Sequence, residues 1–130
     1  MTYLLDTHVW LWMVTAPDRL GSMARTVIDG ADNRLLLSAA SSWEIAIKQA
    51  ITRLVLPEPA EVFVPERMRI TGVVGLAVEH AHALRVGSLP AHHRDPFDRL
   101  LVAQAQVEAV PLLTADPIFE RYDVEVIPAR

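Results

Sequence analysis

Short apolar runs alternate with helical patterns along this chain. Residues 35–37 are continuously apolar and residues 2–5 nearly so, as expected of strands that are covered on both faces. Further strand signals lie at residues 73–76, 112–113 and 124–127. Because helical segments separate these runs, the chain is predicted to form an α/β fold with a mostly parallel central sheet flanked by helices.

The predicted helices lie between the strands. They span residues 9–14, 23–29, 43–54, 78–86 and 96–109. In the third of them, apolar residues from Trp43 to Leu54 recur at helical spacing, and we expect this stripe to face the core rather than a partner. Ser41 and Glu44 have the spacing of a capping box at its start. Prolines limit any helix in residues 56–71 to short or kinked pieces.

Two other helix starts carry capping signals. Ser22 is a suitable N-cap for the helix over residues 23–29, and Asp95 is one for the helix that opens at Pro96. No repeat, low-complexity run or linker interrupts the chain, so we expect a single domain over residues 1–130.

Composition narrows the functional classes. A hydrophobic fraction of 52% with 22% charged residues is that of a globular protein. The lack of cysteine excludes disulfides, thiolate metal sites and cysteine nucleophiles. No apolar stretch approaches the roughly 20 residues of a membrane span, and the N-terminal segment is unlike a signal peptide. We therefore expect a cytoplasmic protein without membrane contact.

The charge balance leaves nucleic acid open as a substrate. A net charge of −4 argues against broad nonspecific binding to nucleic acid. However, bound divalent ions would reverse the charge locally. All but one of the 12 basic residues, the exception being Lys48, are arginines, which suit phosphate contacts.

Four acidic residues stand where apolar runs end or begin. Asp6 follows the first strand, Glu44 lies beyond the second, and Asp116 follows the run at residues 112–113. Asp98 opens the last helical pattern. The carboxyl ends of parallel strands share one edge of a sheet, where open α/β sheets place their ligands. Carboxylates that converge there need a positive partner, and a divalent metal ion is the usual one.

Each acid also has a purely structural explanation. Asp6 could cap the helix that follows it, and Glu44 could complete the capping box with Ser41. The helix dipole favours Asp98, and Asp116 could begin a turn. The spacing therefore favours a shared metal site without excluding four independent structural roles.

Four short segments occur in the order found in PIN-domain proteins. They are LLDTH at residues 4–8, SSWEIA at 41–46, HHRDPFDR at 92–99 and LTAD at 113–116. Together they resemble the VapC-type toxin branch of that family over essentially the full length of the chain. The resemblance implies a PIN-like three-layer fold and a metal-dependent endoribonuclease that forms homodimers and is inhibited by a VapB-type antitoxin.

The resemblance also assigns the site. It implies that the catalytic and metal-binding acids are Asp6, Glu44, Asp98 and Asp116, with Asp95 as a less well placed fifth acid. Hard carboxylate oxygens suit Mg²⁺ or Mn²⁺. The resemblance further implies that RNA hydrolysis leaves 5′-phosphate and 3′-hydroxyl ends. Many relatives have another acidic or polar residue just after the last aspartate, where this chain has Pro117. The number of metal ions, one or two, is therefore open.

Several polar residues near these acids have candidate supporting roles. Thr7 and Thr114 could hydrogen-bond the carboxylates or a bound water. Arg99 could contact a phosphate group or pair structurally with the neighbouring acids. His92 and His93 are adjacent, and adjacent side chains in a loop usually point apart, which argues against a shared metal ion.

The antitoxin is expected to lay an apolar helix into a groove and to send a basic residue towards the acids. The groove would lie between the helix after Asp6 and the helix that contains Trp43. Two alternatives to an RNA-cleaving toxin stay open: a degenerate PIN module that binds its antitoxin without activity, and a metal-dependent DNA nuclease or phosphatase. The sequence has no module that recognises a 2′-hydroxyl group.

Overall fold

A parallel five-stranded sheet with helices on both faces forms the centre of the computed structural model, which describes residues 1–130. The strands are β1 (Thr2–Leu5), β2 (Arg34–Ser38), β3 (Val74–Leu76), β4 (Leu112–Thr114) and β5 (Val126–Pro128). The helices are α1 (Thr7–Thr15), α2 (Ser22–Asp29), α3 (Ala39–Ala50), α4 (Ala60–Thr71), α5 (His80–Arg85) and α6 (Pro96–Glu108). Short 3₁₀ turns cover Pro17–Arg19, Val86–Ser88 and Pro117–Arg121. The predicted α/β class is confirmed.

The strand order creates a crevice at the centre of the sheet. The order is β3-β2-β1-β4-β5, and every neighbouring pair is parallel. The chain runs outward from β1 through β2 to β3 and then returns to the other side of β1. The order therefore reverses between β1 and β4, and ligands of open α/β sheets bind at such a switch point. Because Leu5 pairs with Leu113, the residues that follow these two strands are neighbours.

Alternating strand residues build two separate apolar cores. Leu5, Leu37 and Leu113 pack on one side of the sheet, against residues of α1 to α4. Their neighbours Leu4, Leu36 and Leu112 pack on the other side, mainly against α6. Both faces of the strands are therefore buried, which explains why the runs are continuously apolar. No helix combines the length and the hydropathy that a membrane span requires.

Several predicted boundaries are wrong by a few residues. Ser22 is the first residue of α2 and not its cap, since Gly21 precedes it in an extended conformation. The last strand begins at Val126, two residues later than predicted. Such ends depend on single hydrogen bonds, which a hydrophobic pattern does not determine.

Residues 60–71 form one continuous helix that contains Pro65, contrary to the prediction of short or kinked pieces. Pro65 lies inside α4, where its ring removes one backbone hydrogen bond. Phe63 and Val64 are buried in the core at the same turn, and this burial offsets the lost bond. The helix start is also supported from α3, because the Gln49 side chain accepts a hydrogen bond from the Ala60 N–H at 2.7 Å.

The predicted capping box of α3 is wrong. The side of the helix that is buried also differs from the predicted one. It begins at Ala39, and the Ser38 Oγ accepts a hydrogen bond from the Ala40 N–H at 3.0 Å. Ser41 and Glu44 lie within the helix and are buried.

The apolar stripe on the same helix is exposed. The exposed fractions are 60% for Trp43, 38% for Ile47 and 54% for Ile51. The buried face consists instead of Ala40, Ser41, Glu44 and Ile45. The expectation that the stripe packs in the core is therefore wrong for most of its length.

The corrected start of α3 can be tested by removing its cap. The substitution Ser38→Ala should lower the free energy of unfolding by about 1 kcal/mol, because the Ala40 N–H loses its acceptor in a buried position. Ser42→Ala in the same helix is the matched control and should have a smaller effect. Urea denaturation measures both, and equal effects would contradict the assigned cap.

Candidate metal centre

Acidic side chains from four elements meet at the switch point of the sheet. Asp6 comes directly after the end of β1, and Asp116 lies two residues after the end of β4. Glu44 is in the middle of α3, and Asp98 is in the first turn of α6. These are the four acids that the sequence singled out. Burial raises the pKa of Asp98, and the charge of each of the other three acids raises it further.

Asp6 has the clearest sign of a missing positive partner. It occupies the N-cap position of α1, but its side chain makes no capping hydrogen bond. Its Oδ2 accepts a hydrogen bond from the Thr114 hydroxyl at 2.7 Å, whereas its buried Oδ1 has no partner. A carboxylate oxygen that is buried without a donor or a cation is unfavourable. The structural explanation of Asp6 as a cap therefore does not account for its side chain.

Glu44 is only 2% exposed and is held by two partners. The Thr7 hydroxyl donates a hydrogen bond to Oε1 at 2.9 Å, and Lys48 Nζ donates to Oε2 at 2.5 Å. Thr7 also lies 2.8 Å from the Ser41 Oγ. Both oxygens of Glu44 are therefore engaged within the protein, one of them by Lys48, one turn later in α3.

His93 lies close to two of the acids, a contact that the sequence did not predict. Its Nε2 lies 2.8 Å from Asp98 Oδ2 and 3.6 Å from Asp116 Oδ2. The neighbouring His92 ring packs edge-on against Tyr122 instead. One signal for His93 was available: it stands two residues before the helix cap Asp95, where a side chain can reach the first helical turn.

Two candidate residues are engaged in holding the backbone. Asp95 Oδ1 accepts hydrogen bonds from the N–H groups of Phe97 at 2.8 Å and Asp98 at 3.2 Å, so it caps α6 as predicted. The Arg99 guanidinium donates to backbone carbonyls in the segment 86–93 and to the Tyr122 hydroxyl. Arg99 makes no salt bridge with a neighbouring acid, and its donors stabilise the loop that carries His93.

The acids share more negative charge than the nearby cation neutralises. Burial raises the pKa of Asp98 to about 8, and the charges of Asp6, Asp95, Glu44 and Asp116 add to this effect. Burial also raises the pKa of Asp6.

Lys48 is the basic side chain paired with this group. Burial lowers the pKa of Lys48. The hydrogen bond to Glu44 and the charges of Glu44, Asp95 and Asp98 outweigh this effect, so that the pKa lies above its usual value. A single ammonium group leaves most of the carboxylate charge unbalanced, which a divalent cation would neutralise.

The donor atoms fit a hard cation. One donor atom from each of His93, Asp98 and Asp116 lies within 4.8 Å of the other two. Apart from this imidazole, the donors around the switch point are carboxylate oxygens, as Mg²⁺ and Mn²⁺ prefer. The unpartnered oxygen of Asp6 supplies a further free ligand position.

A parallel sheet with clustered carboxylates at its switch point defines an α/β protein whose site suits a divalent metal ion. The model of the PIN domain family matches residues 3–125, so the chain belongs to that family. It is 34% identical to ribonuclease VapC22 of Mycobacterium tuberculosis over 118 residues, which cover 88% of this chain and 87% of the relative.

Two further similarities concern a shorter segment and the fold. Over 58 residues, the chain is 48% identical to ribonuclease VapC16 of the same organism, a match that covers 45% of this chain and 41% of the relative. The crystal structure of VapBC2 from Rickettsia felis, bound to a DNA fragment from its promoter, has a TM-score of 0.75 and covers all of both chains at 14% identity. At this identity, the similarity to VapBC2 establishes the three-layer fold.

The raised pKa of Asp98 predicts a pH dependence of stability in the metal-free protein. Because the folded state retains a proton that the unfolded state has lost, the contribution of Asp98 is complete below about pH 4 and disappears as the pH rises through about 8. The free energy of unfolding should therefore fall over this range, by at most about 1.4 kcal/mol per pH unit. Thermal unfolding between pH 5 and 8 with a chelator present measures the slope.

The variant Asp98→Asn is the comparison for this slope. It should flatten the pH dependence without abolishing it, because the pKa of Asp6 is shifted in the same direction. Added Mg²⁺ should raise the melting temperature more at pH 8 than at pH 6, since it competes with protons. An identical slope in wild type and variant would show that Asp98 titrates normally.

Proposed function

We propose that residues 1–130 act as one PIN domain, a VapC-type endoribonuclease toxin that uses Mg²⁺ or Mn²⁺. The observation that carries this proposal is the unpartnered, buried Oδ1 of Asp6 within a cluster of mutually repelling acids. The 34% identity with a relative named ribonuclease VapC22 supports RNA as the substrate.

The proposed chemistry is hydrolysis of a phosphodiester bond. Asp6 and Asp98 would hold the metal ion, with Asp116 and Glu44 completing the set directly or through water. The bound ion would lower the pKa of a water molecule and so supply the nucleophile.

The chain's own side chains orient these acids. Thr114 fixes one oxygen of Asp6, while Thr7 and Lys48 fix both oxygens of Glu44. An open cavity of about 270 Å³ between Asp116 and Arg121 adjoins the site. It offers a guanidinium group to the phosphate backbone of the substrate.

The acids can be tested by two isosteric substitutions. Asp6→Asn and Asp98→Asn remove charge while keeping the shape of the side chain, and each should reduce RNA cleavage at least about 100-fold, since loss of a metal ligand weakens metal binding and activity. The assay is cleavage of labelled single-stranded RNA with Mg²⁺ or Mn²⁺, compared with EDTA. Asp18→Asn, at an exposed acid outside the cluster, is the control and should cut as wild type does.

The outcomes of the same assay separate the alternatives. If wild type cleaves DNA or a phosphomonoester in preference to RNA, the site is a metal-dependent DNA nuclease or phosphatase. If wild type cuts nothing with either metal but still binds its antitoxin, the chain is a degenerate PIN module. If both variants cut like wild type, the acids have been assigned to the wrong role.

The exposed stripe on α3 is the surface that we assign to a VapB-type antitoxin. Trp43, Ile47 and Ile51 are all exposed on one side of this helix, and Trp43 stacks edge-on against Phe97 at 4.9 Å, next to Asp98. An apolar helix of the antitoxin would cover this stripe and could extend a basic residue to the acids. The crystal structure from Rickettsia felis is that of such a VapBC pair. The same stripe could alternatively join two copies in a homodimer.

A polar substitution at the distal end of the stripe tests this surface. Ile51→Ser should weaken binding of a cognate VapB-type antitoxin by about 10-fold, or about 1.4 kcal/mol, because a buried apolar contact is lost. Leu84→Ser is the matched control on α5, since Leu84 is 78% exposed. Isothermal titration calorimetry measures both, and light scattering of the free chain tests the homodimer. Equal affinities would place the antitoxin elsewhere.

A further inference from the structure

Two arginines converge on one indole ring, that of Trp12. The guanidinium carbons of Arg19 and Arg130 lie 6.0 Å and 5.6 Å from the centroid of this ring. Both arginines are exposed, whereas Trp12 is half-buried and packs against the core. The three residues come from separate segments, because Trp12 is in α1, Arg19 ends the first 3₁₀ turn and Arg130 follows β5. We call them the Trp12 cluster.

Backbone contacts fix this arrangement. The Ala129 N–H donates a hydrogen bond to the Thr114 carbonyl, and the Ala129 carbonyl accepts one from the Gly21 N–H, both at 2.8 Å. A Cβ atom at position 21 would lie 3.1 Å from the backbone of Arg130, so the glycine allows the two segments to approach closely. Because Arg19 lies two residues before Gly21, the same contact brings both arginines to one place.

The same contacts connect the Trp12 cluster with the acids. Thr114 receives the Ala129 N–H on its carbonyl and donates its own hydroxyl to Asp6. Thr114 also pairs with Pro128 in the sheet, so Asp6 and Arg130 both follow carboxyl ends of parallel strands. Trp12 is six residues after Asp6, which corresponds to a rise of about 9 Å along a helix. The cluster therefore lies next to the acids on the same edge of the sheet.

The two guanidinium groups have no carboxylate partner. Arg25, Arg67 and Arg69 each form a salt bridge, whereas Arg19 and Arg130 form none. A contact with a ring face uses the charge of a guanidinium group but no oxygen acceptor, so its N–H donors stay available. Holding the group over a ring also reduces the side-chain entropy that is lost when an anion binds. The cluster therefore presents two preorganised groups that suit phosphate.

We propose that the Trp12 cluster binds the phosphate backbone of single-stranded RNA beside the scissile bond. Arg19 and Arg130 each contact a phosphate group, and Trp12 is the positioning residue that holds both guanidinium groups. The inference rests on the proposed function, because it takes RNA as the substrate. It accounts for how a chain with a net charge of −4 holds a polyanion, since the strand is bound next to the acids and not by them.

RNA binding without a metal ion tests the Trp12 cluster directly. The affinity is measured by fluorescence anisotropy of a labelled single-stranded RNA of about 12 nucleotides, in EDTA to prevent cleavage. Arg19→Gln and Arg130→Gln should each weaken binding about 3- to 10-fold at low salt. Each should also lower the salt dependence of the logarithm of the affinity by about 0.7, the contribution of one phosphate contact to a single strand.

Arg34→Gln is the matched control for these variants. It removes the same charge from an exposed arginine at the start of β2, at the opposite edge of the sheet. Arg34 also forms no salt bridge, so its loss leaves no acid unpaired. This variant should bind the RNA nearly as tightly as wild type does.

Cleavage with Mg²⁺ separates RNA binding from the chemical step. The two arginine variants should raise KM and leave kcat unchanged, because the Trp12 cluster does not touch the scissile phosphate. Trp12→Leu should weaken RNA binding in EDTA as each arginine variant does, and Trp12→Phe, which restores a ring face, should recover most of the affinity. Circular dichroism checks folding, and if Trp12→Leu does not fold, the arginine variants decide the question.

The results distinguish failure of this inference from failure of the proposed function. If wild type neither binds nor cleaves RNA, the proposed function fails. If wild type cleaves RNA but does not bind it in EDTA, or if both arginine variants bind it as wild type does, only the Trp12 cluster has been assigned wrongly. An equal loss in Arg34→Gln would also overturn the inference, because overall charge alone would then explain the effect. If the arginine variants bind RNA normally but bind a VapB-type antitoxin less tightly, the cluster contacts the antitoxin instead.

Discussion

Mutual repulsion among partly buried carboxylates is the constraint on which the rest of this structure depends. Burial raises the pKa of Asp98 to about 8, and the charges of Asp6, Asp95, Glu44 and Asp116 add to this effect. Hydrophobic burial cannot hold like charges together, so specific contacts must do so. Thr114, Thr7, Lys48 and His93 each contact one or two of these acids. A divalent cation would complete this neutralisation.

The sheet supplies the rigidity that such a cluster needs. β1 and β4 are buried on both faces, and the Leu5–Leu113 pairing places Asp6 beside Thr114. The hydrogen bond between these two side chains spans 108 positions of sequence, so only the folded sheet can form it. A register shift of one residue would reverse which side chains face each core and would separate the pair. The two apolar cores thus hold the strands in the register that brings the acids together, although the acids repel one another.

The sequence predicted what depends on local pattern and missed what depends on tertiary contacts. The central strands, the parallel sheet and the Asp95 cap of α6 follow from apolar runs and capping chemistry. The orientation of α3 does not, because its apolar stripe suggests a core helix, whereas Glu44 and Ser41 occupy the buried face. Likewise, the helix through Pro65 depends on burial of its neighbours. The position of His93 beside two acids could not be predicted either, because one of them, Asp116, lies 23 positions later in the chain.

The reversed orientation of α3 connects the acid cluster with the exposed apolar stripe. On a helix, the face that carries Glu44 and the face that carries Trp43 and Ile47 are separated by a fixed rotation of about 100° per residue. Glu44 is buried against Thr7, whereas Trp43, about 100° away around the helix, and Ile47 are exposed. Trp43 also touches Phe97, which adjoins Asp98 in the first turn of α6. A partner that covers the stripe would thus lie beside the acids. The same helix, α3, would therefore affect both partner binding and the access of a substrate to the acids.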